Sequence, residues 1–233
     1  MHIRNLVLLV FAQLISATGS IVFVTLGGLI GAMLSNNAAW ATLPLSMIVL
    51  ASAVTTMPAA MLMKKIGRRR GFALASCSAV VAVLLAAFAL RGNSFGIFLG
   101  ASMLFGINLA FTQQYRYAAA ESVEAKFVPR AISFVLLGSI GGALVGPEIV
   151  TRGFAWVAGV PYAGSMIALA VLYVVQASLF MFLGKTHAES NTEPAAAGRT
   201  LSEIMRQPVF IVAVLGGISG SYKTISNMRW PLS

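Results

Sequence analysis

Residues 6–34, LVLLVFAQLISATGSIVFVTLGGLIGAML, contain no charged side chain, and five more apolar runs follow at 41–63, 72–90, 95–117, 131–150 and 161–183. Each is close to or above the ~20 residues an α-helix needs to cross a hydrocarbon core of ~30 Å. No water reaches a backbone N–H or C=O at that depth, so each run must close its hydrogen bonds on itself as a helix. The expected fold class is therefore all-α, a polytopic membrane protein with a six-helix bundle. The first run is too long for a signal-peptide core and shows no clear cleavage pattern, so it reads as a retained helix. The chain is 58% hydrophobic and 9% charged over 233 residues, against roughly 25% charged in soluble domains. Six spans and their connections leave little room for a soluble domain.

The breaks SNNAAW, KKIGRRRG, RGNS, AESVEAKFVPR and TRGFAWVAGV are short, which forces neighbouring helices to run antiparallel. With the N-terminus in the cytoplasm, the inner breaks collect Arg4, Lys64, Lys65, Arg68, Arg69, Arg70, Lys126, Arg130, Lys185, Arg199 and Arg206, and the outer ones hold Arg91 and Arg152. That asymmetry predicts a cytoplasmic N-terminus in the cell inner membrane. A net charge of +10 would, in a soluble protein, point to nucleic acid. Here the densest basic stretch, MKKIGRRRGF at 63–72, lies between two spans. Eight residues there cannot build a folded basic surface, so nucleic acid is excluded as a partner and the lipid bilayer is the expected one.

From residue 184 the composition changes. Residues 184–206 are small and polar and read as a cytoplasmic linker, which closes a first domain at 1–183. Residues 207–233 begin as a seventh helix with PVFIVAVLGGISGSY and then turn polar at KTISNMRWPLS. The expectation is an incomplete helix with an atypical tail, as in the front part of a longer, truncated protein. A short or re-entrant helix, or a natural half that dimerises, are the alternatives.

Two motifs stand out. In the fifth run, SFVLLGSIGGALVGPEIV, Gly138, Gly142 and Gly146 recur at i, i+4 and i+8, forming one smooth face on which another helix can pack closely, and Pro147 kinks or ends that helix. In AMLMKKIGRR at 60–69, Gly67 sits where a tight turn between helices calls for positive φ. With these motifs the chain resembles the major facilitator superfamily. Its pattern G-x-x-x-D-R-x-G-R-R is matched in its second half by Lys65, Gly67, Arg68 and Arg69, with Ala60 for the first Gly and Lys64 for the Asp. Its antiporter-associated G-x8-G-x3-G-P fits Gly142, Gly146 and Pro147, with Ser133 for the first Gly. The resemblance implies two six-helix halves, each of 3+3 inverted repeats, joined by a cytoplasmic linker, and secondary transport of a small solute by alternating access. Lys64, Lys65, Gly67, Arg68 and Arg69 would form the gating loop. Where proton-coupled members carry an Arg in the fourth helix, Ser102 stands here.

Candidate substrate contacts lie in INLAFTQQYRYAAAE. Asn108, Thr112 and Arg116 fall at i, i+4 and i+8, on one helix face with Gln113 beside it. An Arg in a span is costly and faces water or a partner, here a cavity, a headgroup or Glu121. Its planar fork suits a carboxylate or phosphate, so an anionic substrate is one expectation. Gln13 joins the set because the first and fourth helices line the cavity in the family resembled. Glu148 is a proton carrier or a surface carboxylate. His2 and His187 build no metal site, Cys77 has no partner cysteine, and no phosphate-binding loop is present. No enzyme, no cofactor and no metal are expected. One half needs a partner, either a missing C-terminal half or a second copy. The rival reading is a non-transporting scaffold that binds a partner through the glycine face.

Overall fold

A single residue, Gly67, separates the second helix from the third. The computed structural model describes residues 3–35, 40–157 and 159–184. In it α1 spans Ile3–Leu34, α2 Leu43–Ile66, α3 Arg68–Arg91, α4 Phe95–Thr112, α5 Tyr115–Glu121, α6 Val128–Gly153 and α7 Ala163–Met181, with a 3₁₀ turn at Ala125–Phe127 before α6. Among the described residues there is no strand. Counting α4 and α5 together, six spans among the described residues are long and apolar enough to cross a membrane, and the chain is a multi-pass membrane protein. The expected linker beyond Gly184 and the expected seventh helix at 207–233 lie outside the described residues.

The expected eight-residue turn at KKIGRRRG is corrected to one glycine. Helix α2 carries Lys64 and Lys65 in its last turn, where cations complement the negative end of the dipole. Long basic side chains let both helices continue beyond the hydrocarbon by reaching into the headgroups. Gly67 has φ 83° and ψ 156°, a region essentially closed to residues with a Cβ. The second correction is in the fourth span. The N–H of Gln114 bonds the carbonyl of Phe111 at 2.9 Å, a tightened i to i+3 turn that separates α4 from α5 and shifts the register beyond it. Pro147 does not end its helix, since α6 continues to Gly153.

Helix α1 packs most extensively on α6, α2 on α4, and α3 on α7. Exchanging the first three spans with the last three turns the first of these pairs into the second and maps the third onto itself, as inverted 3+3 repeats require. Without a hydrophobic drive between helices in lipid, close approach and van der Waals contact must hold such a bundle. Small residues supply the approach: Ala75, Ala79, Ala82, Ala86 and Ala89 are buried along α3. Aromatics fill the space between. Phe23 stacks on Phe105 with centroids 4.2 Å apart, and Phe72 meets Tyr115 edge-on at 4.9 Å, pairs that contribute about 0.5–1.5 kcal/mol each beyond burial. Cys77 and the side chains of Val81, Leu84 and Phe88 face outward on α3.

Candidate functional site

The antiparallel order brings the start of α1, the α2–α3 joint, the end of α5 and the end of α7 to one end of the bundle. Two contacts anchor it. The Asn5 carboxamide accepts from the Gly184 N–H at 3.0 Å, and Arg68 pairs with Glu121. Arg4, Lys64, Lys65, Arg69, Arg70, Lys126 and Arg130 belong to this basic end, and Arg91 and Arg152 to the other.

Arg68 begins α3 and Glu121 ends α5, so each charge opposes the dipole of its own helix. The pair removes both conflicts. The guanidinium donates through Nε to Oε2 at 2.6 Å and through Nη2 to Oε1, the bidentate arrangement that is strongest for Arg and carboxylate. The side chains are 16% and 32% exposed, which screens the pair less than the exposed pairs worth ~0.2–1 kcal/mol. Lys64 is exposed, and the acid that faces Arg68 comes from α5 instead of from the loop.

Deeper in the bundle lies a polar group that the sequence reading missed. Gln176, fully buried on α7, has its amide nitrogen 2.8 Å from Ser16 Oγ, 2.8 Å from Tyr115 Oη and 3.1 Å from the Ala12 carbonyl. Thr112 Oγ1 lies 3.4 Å from Ser16 Oγ. Four side chains from α1, α4, α5 and α7 thus meet in the interior. The available signal was Gln176 itself, the one amide in the sixth run, because a polar residue in a span turns inward. Tyr115 was hidden by the register shift.

The expected polar face of the fourth span is divided. Asn108 is buried and donates to the Ala75 carbonyl of α3 at 2.8 Å, and Thr112 is buried beside Ser16. Gln113 and Arg116 are exposed, with Arg116 donating to Gln113 Oε1 at 2.9 Å. The tightened turn is the reason, since it breaks the i+8 relation between Asn108 and Arg116. Arg116 does not pair with Glu121, which Arg68 holds. Gln13 donates to Ser139 Oγ at 2.9 Å across the α1–α6 contact. Glu148 pairs with Arg152 at 2.5 Å, both exposed.

Gly138, Gly142 and Gly146 are buried against α1. A Cβ at Gly142 would lie 2.6 Å from Ala17 Cβ and 2.7 Å from the Thr18 nitrogen, and one at Gly146 2.8 Å from Ile21 Cγ2. This corrects the idea that the glycine face docks a separate partner, because α1 already occupies it. Among the described residues no three His, Cys, Asp or Glu side chains gather to hold a metal.

The family model described as Major Facilitator Superfamily matches residues 8–228. The riboflavin transporter RfnT of Brucella anthropi is 34% identical over 92% of this chain and 54% of its own length. Two uncharacterized MFS-type transporters of Bacillus subtilis, YdeG and YddS, are 27% and 28% identical, over 84% and 74% of this chain and 48% and 40% of their own lengths. The chain spans about half the length of the curated relatives it matches.

Proposed function

The chain belongs to the Major Facilitator Superfamily, and on that premise we propose that its six-span bundle forms one wall of a secondary transporter that carries a small solute by alternating access. The observation that carries this reading is the family match over 8–228. Alternating access takes two such units rocking about a central site, so a second six-span unit, on the same polypeptide or another, supplies the opposing wall. The basic end faces the cytoplasm of a cell inner membrane by the excess of Lys and Arg there. Arg68 and Glu121 act as a latch at that end, tying the α2–α3 gating joint to the fourth span. Gln13, Gln113 and Arg116 are the substrate-contact candidates that are not fully buried.

Riboflavin is the first solute to test, from the name of the Brucella relative. The cation of Arg116 makes a phosphate-bearing flavin the natural second. The experiment is uptake of labelled riboflavin and of its 5′-phosphate by a riboflavin-requiring bacterium expressing this chain, alone and with the second six-span unit of the Brucella transporter supplied in trans. Uptake with the second unit, lost on Arg116→Ala for the phosphate but not for riboflavin, is the expected result. Riboflavin uptake no higher than in cells without the chain, under both conditions, would remove the flavin assignment.

A further inference from the structure

A cavity of about 570 Å³ opens between α2 and α3, with α4 as its floor. Thr55, Pro58, Leu62 and Lys65 of α2, Leu74 of α3 and Phe111 of α4 stand around it. Both walls pack on α4, and α2 and α3 touch far less, which leaves the gap. Pro58 has no N–H and removes one rung of α2 beside it.

Three features limit what can fill this space. The first is depth. Between Thr55 and Lys65 the helix advances about 15 Å at 1.5 Å per residue, half of a ~30 Å core. The cavity therefore runs from the basic end to mid-membrane, the thickness of one leaflet. The second is polarity. The walls are apolar, and among the described lining residues Lys65 alone is charged, while the Ser78 hydroxyl is bonded to the Ala75 carbonyl at 2.8 Å. A polar solute would find few partners here. The third is charge. The acids described at this end, Glu121 and Glu124, face Arg68 and Lys126, and Lys65 has no acid beside it among the described residues. Lys64, Arg69 and Arg70, close to it in sequence at the same end of the bundle, are exposed.

We propose that this cavity holds one acyl chain of an anionic phospholipid from the leaflet at the basic end, with the lipid phosphate at Lys65. The apolar depth accepts the chain, and the Lys65 ammonium, with no acid beside it among the described residues, selects the headgroup. The site couples lipid composition to the α2–α3 joint, because Lys65 is two residues from Gly67.

The test uses the full chain in vesicles, in a background carrying Trp40→Phe, Trp156→Phe and Trp230→Phe. A reporter is placed in the cavity wall by Leu74→Trp, or on the outward face of the same helix by Leu84→Trp. Quenching is compared between brominated-chain phosphatidylglycerol and brominated-chain phosphatidylcholine in phosphatidylcholine vesicles. The expected result is a preference of about fivefold for phosphatidylglycerol at position 74, the effect of one surface lysine, and none at position 84. Lys65→Gln should abolish the preference and Lys65→Arg should keep it. Equal quenching by both lipids at position 74, or a preference that survives Lys65→Gln, would overturn the proposal. So would protection of position 74 from both lipids while position 84 is quenched, since another protein segment would then fill the cavity.

Discussion

Arg68 holds Glu121 with both arms of its guanidinium, so that the first residue of α3 is tied to the last residue of α5. Each residue carries the wrong sign for its own helix end, and only the pairing makes either tolerable. Glu121→Gln should therefore destabilise the bundle by about 1.5–3 kcal/mol, the range for hydrogen bonds to charged groups. The reversal Arg68→Glu with Glu121→Arg restores the pair with both signs now matching their dipoles. Denaturant titration in mixed micelles should place the double variant well above either single variant. Stability losses that simply add would show that the two charges are not coupled.

The joint itself makes a sharper demand. At φ 83° and ψ 156° Gly67 lies outside the left-handed helical region that Asn tolerates. Gly67→Ala and Gly67→Asn should thus cost the same, about 1–3 kcal/mol. An Asn variant clearly more stable than the Ala variant in the same titration would mean that the joint relaxes into the left-handed helical region.

Close approach between α1 and α6 predicts a contrast among glycines. A methyl at Gly142 meets Ala17 Cβ and the backbone of Thr18, whereas one at Gly100 meets nothing within 4 Å. Gly142→Ala should cost about 1–3 kcal/mol through overpacking, and Gly100→Ala should be neutral or stabilising by up to ~1 kcal/mol through helix propensity. Thermal unfolding of the two proteins in detergent compares them directly.

The interior polar group offers a coupling measurement. Gln176→Leu and Tyr115→Phe remove opposite ends of one 2.8 Å contact, and their double-mutant cycle should return about 0.6–1.7 kcal/mol, the span seen for hydrogen bonds between membrane helices. A coupling indistinguishable from zero would assign Gln176 to its contacts with Ser16 and the Ala12 carbonyl.

Orientation can be read with thiols. In a Cys77→Ser background, an impermeant maleimide added outside intact cells should label Arg91→Cys and Arg152→Cys and spare Arg70→Cys. Labelling of the last alone would invert the topology drawn from the basic residues.

Much of the architecture was visible in the linear chain because membrane helices are dictated locally. A run of apolar residues near the thickness of the core has no structure open to it but a helix, and short breaks impose antiparallel order. The glycine spacing at 138, 142 and 146 marked a helix contact, and Gly67 marked a backbone only glycine adopts. What periodicity could not reveal was the tightened turn at Gln113 and Gln114, which sends Tyr115 inward and leaves Arg116 exposed. A register argument across eight residues assumes an uninterrupted helix, and one i to i+3 bond is enough to undo it.

The sequence by itself therefore determined the six spans of the described residues, their antiparallel order and the basic end, all of which depend on solvation and on neighbours along the chain. Only the tertiary structure decided that α1 covers the glycine face, that Glu121 is the acid for Arg68, and that Gln176 gathers Ser16 and Tyr115. Those relationships join residues 53 to 160 positions apart, and they come from which helices pack side by side, a choice made by shape and hydrogen bonding between surfaces that no local pattern records.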